Sequence, residues 1–177
     1  MFYMARAYLF LIYTCCFLTG CSYKEKQQGD LSLSYKELKT EVYFCKGGED
    51  SLPVLASDVT ARLDTIDWHF RDEHGYLQPS MFVHINNKTC GTLSVDMQEL
   101  YKMDNGNWVL LPCSVSQTDF GNVIPPPGMV WSNYTLRFCF DGYDLEPNHY
   151  MLRTKMVLLD SKNSGSYCLD MSFVLMD

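Results

Sequence analysis

From residue 59 onward, apolar and polar residues alternate in short runs, and turn signals separate the runs. Val59–Phe70 carries Val59, Leu63, Ile66 and Trp68, and the polar stretch Arg71–Gly75 ends it. Met81, Val83 and Ile85 share one face of the next run, which stops at Asn86-Asn87-Lys88. Val95–Met103 and Asn107–Leu111 flank Asn105-Gly106, a hairpin signal because both central residues of a type I′ turn need φ > 0. In Val130–Phe140, Tyr134, Leu136, Phe138 and Phe140 lie on one face and Asn133, Thr135 and Arg137 on the other. His149–Leu159 turns Tyr150, Leu152, Met156 and Leu158 inward. The last run does the same with Tyr167, Leu169, Met171, Phe173 and Leu175.

This pattern predicts an all-β domain of about seven strands over residues 58–177, with no amphipathic helix. One-faced alternation belongs to antiparallel sheets with one side buried, and the spacing predicts an Ig-like β-sandwich. A small barrel is the alternative closure of the same strands. Residues 112–128 form a long loop ending in Pro125-Pro126-Pro127-Gly128, where proline cannot donate to a ladder. Residues 31–57 are harder to assign. Thr40–Cys45 reads as a short strand or a segment appended to the domain, and Gly47–Pro53 is turn-rich.

The N-terminus has a different character. Arg6 is the sole charged side chain before Lys24, and residues 7–18 are an apolar stretch. Signal-peptide cores run to about 7–15 residues, whereas a spanning helix needs roughly 20. The stretch ends in Leu18-Thr19-Gly20-Cys21, which resembles the lipobox of bacterial lipoproteins. The resemblance implies a signal peptide over residues 1–20, cleavage before Cys21, and diacylglyceryl and acyl groups on Cys21. Two or three acyl chains give stable membrane attachment, each buried CH₂ contributing about 0.8 kcal/mol. Ser22, in place of Asp, resembles an outer-membrane sorting signal. The polar segment 23–30 reads as a tether, so residues 21–57 comprise the lipidated end, the tether and the segment left open above.

Composition narrows the function classes. The 177-residue chain has net charge −7, and losing Arg6 leaves 13 basic against 21 acidic side chains, or −8. Such a chain is a poor partner for nucleic acid, whose phosphates require a basic surface. Beyond Cys15, Cys16 and Cys21, five cysteines remain: Cys45, Cys90, Cys113, Cys139 and Cys168. Five is odd, so at most two bridges form. No pair has C-x-x-C spacing, which gives neither a redox motif nor a zinc knuckle. Buried free thiols are the simplest reading, and any pairing stays open.

The strands also carry a family likeness. Leu100, Lys102, the turn Asp104-Asn105-Gly106, Trp108 and Pro112 resemble a motif of a bacterial Ig-like domain family common in lipid-anchored envelope proteins. Leu145–Tyr150 resembles that family's start of a later strand, with Asn148 where Gly is usual and Met151 where Arg is usual. Phe82–Asn87 resembles its second strand. The likeness spans roughly residues 59–177. It implies the sandwich and an envelope setting, and no catalytic activity.

Little in the sequence points to chemistry. His69 and His74 flank Arg71, Asp72 and Glu73 in what reads as a solvated turn, and no nucleophile elbow, H-E-x-x-H or phosphate loop is present. No catalytic residue, metal or cofactor is expected. Trp68, Trp108 and Trp131 are either packing residues or exposed anchors, and Trp131, beside the Pro-rich loop, is the best candidate for exposure. Long loops at the end of a sandwich carry binding, so the expected interaction surface is Trp131, Val123, Ile124 and Phe120. The expected function is a non-catalytic binding or structural module, lipid-anchored in the cell envelope, with an envelope protein or a glycan as partner. The alternative is a periplasmic protease inhibitor presenting residues 117–128.

Overall fold

The alternating runs become strands in the structure, a computed structural model that describes residues 33–46, 53–112, 122–128, 133–159 and 165–177. Cys21, Cys113, Phe120 and Trp131, with the signal-peptide and tether stretches, lie outside the described residues. The strands are β1 (Ser34–Lys46), β2 (Val54–Leu55), β3 (Val59–Asp67), β4 (Ser80–Asn87), β5 (Thr92–Asp104), β6 (Asn107–Leu110), β7 (Val123–Ile124), β8 (Asn133–Cys139), β9 (Asn148–Leu159) and β10 (Gly165–Met176). The described residues contain no helix.

Two antiparallel sheets face each other as a β-sandwich. The larger has seven strands in the order β2-β1-β10-β9-β5-β6, with β7 also paired to β5. The smaller is β3-β4-β8. The inward residues of the sequence pattern form the layer between them. Met81, Val83 and Ile85 from β4, and Leu136 and Phe138 from β8, are fully buried. So are Tyr150, Leu152 and Met156 from β9, and Leu169, Met171 and Phe173 from β10. Trp68 belongs to this core, with its ring stacked 5.6 Å from that of Phe140. The two-residue hairpin loop between β5 and β6 has φ of 48° at Asn105 and 82° at Gly106, the left-handed pair that Asn-Gly accommodates.

Seven of the ten strands coincide with the seven apolar runs, and β1, β2 and β7 add to them. The compact unit runs from Ser32 to Asp177, so it takes in the segment that the sequence left between tether and domain. In fact β1 is an interior strand, paired with β10 from Ser34↔Met176 to Lys46↔Gly165. Its alternation is hidden for two reasons. A bulge between Glu37 and Lys39 shifts the face midway, and two inward positions are the polar Glu37 and Thr40. These polar groups have partners at the edge of the core. Thr40 donates to the Glu37 carboxylate, which also accepts the Leu63 backbone N–H at 3.1 Å. Tyr35 donates to Thr65 at 3.2 Å, and the Trp68 indole to the Leu33 carbonyl at 2.7 Å. The first strand thereby ties the two sheets together by hydrogen bonds as well as by packing.

Candidate functional site

The larger sheet has one face on the core, and its other face is built by the alternate residues of β1, β10, β9 and β5. Strand register sets these residues in rows. Glu41 lies opposite Asp170, Asp170 opposite Arg153, and Arg153 opposite Glu99, so one row crosses four strands with three carboxylates and a single guanidinium. The next row is Lys39, Ser172, Met151 and Tyr101, extended by Leu110 on β6.

The charged groups in these rows hold one another in place. Arg153 grips Asp170 with two parallel hydrogen bonds, Nε to Oδ1 at 2.8 Å and a terminal nitrogen to Oδ2 at 2.7 Å. Such a fork is the strongest geometry open to this pair. The guanidinium also lies over the Tyr101 ring, 5.5 Å from its centroid. Tyr101 donates to Glu99 at 2.8 Å. Glu41 accepts from Tyr43 at 2.7 Å and pairs with Lys39 at 2.7 Å. The Lys39 and Tyr43 hydrogen bonds hold the Glu41 carboxyl below its usual range, and Glu41 in turn raises Lys39. The Asp170 fork raises the Arg153 guanidinium, and the bond to Glu99 raises the Tyr101 phenol. These shifts keep Glu41 a charged acceptor and Lys39 and Arg153 charged donors at neutral pH.

Between the rows lies an open groove of about 360 Å³, lined by Lys39, Glu41, Trp108, Met151, Arg153, Asp170 and Ser172. Trp108 is on β6 opposite Met103 and is 37% exposed. Met151 faces outward in register yet is only 8% exposed. The lining holds two cations, Lys39 and Arg153, and two anions, Glu41 and Asp170, so its formal charge is zero in a chain of −7. A neutral groove with an aromatic side and paired charges offers hydrogen bonds of both kinds and a flat apolar surface. In its lining the Ser172 hydroxyl donates to the Lys39 backbone carbonyl at 3.1 Å.

The loop-end surface expected from sequence is only partly present among the described residues. Val123 is 48% exposed. Ile124, expected on the interaction surface, is instead fully buried, which corrects that assignment. The reason is pairing: Ile124 lies opposite Leu93 in the β5–β7 ladder, and this turns its side chain into the core. The segment is also pinned from below. The Asn87 side chain, fully buried, donates to the carbonyls of Gly91 at 2.9 Å, Ile124 at 3.1 Å and Pro125 at 3.2 Å. Its own oxygen accepts from the Thr89 backbone N–H and hydroxyl at 2.9 and 2.7 Å. Phe120 and Trp131 lie outside the described residues, as do the first five positions, 117–121, of the loop an inhibitor would present.

The His69–His74 turn is built by its aspartates. Asp67 accepts from the His69 N–H at 2.9 Å, and Asp72 accepts from the N–H groups of His74 and Tyr76 at 2.9 Å each. Among the described residues no group of three His, Cys, Asp or Glu side chains is arranged to hold a metal ion.

The outer-face rows were not found from sequence, because register between distant strands decides them. The one local signal was Trp108, which alternation placed on a short return strand with no indication of its neighbours. No protein-family model matches the chain, and no curated protein matches it.

Proposed function

We propose that this protein is a lipid-anchored, non-catalytic binding module of the bacterial cell envelope, and that the outer-face groove binds a neutral, hydroxyl-rich glycan. The neutral groove beside Trp108 carries the reading. A sugar presents an apolar C–H face and a rim of hydroxyls that both donate and accept. The indole matches the face, and the locked pairs Arg153–Asp170 and Lys39–Glu41 match the rim without net charge. The envelope setting rests on Leu18–Cys21 and on Ser22, which points to the outer membrane. Residues 22–31 separate Cys21 from the compact unit at Ser32. Ten residues, even fully extended, span at most about 35 Å.

Two substitutions test the two halves of this reading. Cys21→Ala is expected to abolish labelling by radioactive palmitate and to release the protein from the membrane fraction. Labelling equal to that of the unaltered protein would remove the anchor from the proposal. For the groove, the protein is applied to an array of neutral oligosaccharides and Kd is measured on the binders by titration calorimetry. Trp108→Ala is expected to weaken binding at least tenfold while changing stability by about 1 kcal/mol or less, since the indole is partly exposed on an edge strand. Binding that persists unchanged in Trp108→Ala, or no binding by the unaltered protein, would move recognition away from this face.

A further inference from the structure

We propose that Cys45 and Cys168 are a disulfide site that fastens the first strand of the sandwich to the last. Register brings them near one another. Cys168 lies opposite Tyr43 and Cys45 opposite Ser166, so the two cysteines are diagonal neighbours on the same outer side of adjacent antiparallel strands, a spacing of about 7–8 Å that closes to below about 7 Å when the bridge forms. Both are half-buried free thiols. The remaining described cysteines are elsewhere: Cys90 follows β4, and Cys139 is in β8 of the smaller sheet. Burial, Cys45 and the nearby Asp170 push the Cys168 thiol up, which suits a structural bridge and not a catalytic nucleophile.

Formation needs an oxidant of the disulfide class, either glutathione disulfide or a thiol–disulfide oxidase. One thiol, as thiolate, attacks a sulfur of that disulfide and displaces the other as a thiolate. The second cysteine then attacks the mixed disulfide and releases the carrier in reduced form. Two thiols become one S–S bond, and two electrons and two protons pass to the oxidant.

The bridge has a mechanical consequence that rests on the reading of the chain as exported and anchored. Among the described residues, β1 is the strand nearest Cys21 in the chain, and apart from β10 it pairs with β2, through Tyr43↔Leu55 and Phe44↔Val54. A pull on the tether therefore loads the β1–β10 ladder from its Ser34↔Met176 end, and a bond at the Cys45 end stops β1 from leaving the sheet.

The test uses the full protein isolated from cells lysed in N-ethylmaleimide, followed by peptide mass spectrometry under non-reducing conditions. A Cys45–Cys168 linked peptide is expected, with Cys139 alkylated after unfolding. In parallel, the reduced protein is equilibrated in glutathione redox buffer. Reduction, Cys45→Ser and Cys168→Ser should each shift the unfolding equilibrium by about 30- to 1,000-fold, the range for loss of one structural disulfide, and the double variant should shift it no further. Linkage in glutathione buffer with free thiols in the cell would support the site and overturn the exported setting. Thiols that stay alkylatable in both experiments would overturn the site.

Discussion

Phe138→Ala is expected to cost about 3–5 kcal/mol, the range for truncating a buried aromatic to a methyl group. Phe138 is fully buried in β8 opposite Met81, in the layer between the sheets. Its ring meets that of Phe140 edge-on at 5.5 Å and that of Tyr143 at 5.7 Å. Truncation removes apolar area and these ring contacts together. It also leaves a cavity that two paired sheets cannot collapse without breaking ladder hydrogen bonds. Domains of this size are stable by only about 5–15 kcal/mol, so the variant should lose a large part of its margin. Its Tm should fall by roughly 10 °C or more, read by circular dichroism. Val123→Ala is the matched control, because Val123 is 48% exposed and its truncation should stay within about 0.5 kcal/mol. Equal losses in the two variants would mean that the inter-sheet layer does not govern stability.

Asn87→Asp should be the most damaging polar change, and worse than Asn87→Ala. The Asn87 amide points its N–H groups at three carbonyls, those of Gly91, Ile124 and Pro125. Alanine leaves these acceptors without their donor, and the Thr89 groups without their acceptor, at a cost of about 2–4 kcal/mol. Aspartate keeps the shape and replaces the donor with a second oxygen, buried against carbonyl oxygens, which adds repulsion and desolvation. Both losses act first on β7, which among the described residues is paired to β5 through Leu93↔Ile124 and Ser94↔Val123. The sensitive reporter is the Val95 amide, which donates to the Asn122 carbonyl at 3.0 Å. Its hydrogen exchange should accelerate at least tenfold in both variants, more in Asn87→Asp. An unchanged Val95 amide would show that the Pro-rich segment is held by something other than Asn87.

Much of the architecture was legible because burial in a sandwich obeys a period of two. Met81, Val83 and Ile85, or Tyr167 through Leu175, are spaced so that one face is continuous and apolar, and each such run became a strand with that face on the core. Asn105-Gly106 was legible for a local reason, since few other residues adopt its backbone angles. Where a strand departs from simple alternation, the reading failed. β1 places Glu37 and Thr40 inward and carries a bulge, so its pattern resembles that of a polar linker. β7 has two residues, too few to show any period, and Ile124 was therefore assigned to a surface when its pairing partner turns it inward.

The sequence by itself determined the class of the protein. It specified all-β structure, the hairpin at Asn105-Gly106 and the apolar face of four strands, β4, β8, β9 and β10, because each depends on residues a few positions apart. What only the tertiary structure decided is what lies beside what. The row Glu41, Asp170, Arg153 and Glu99 joins residues from four strands, and the Cys45–Cys168 diagonal joins β1 to β10. Both are set by strand order and register, where a slip of one residue would turn each side chain to the opposite face. That register is selected by the burial of the whole inner layer at once. No local stretch of sequence contains it.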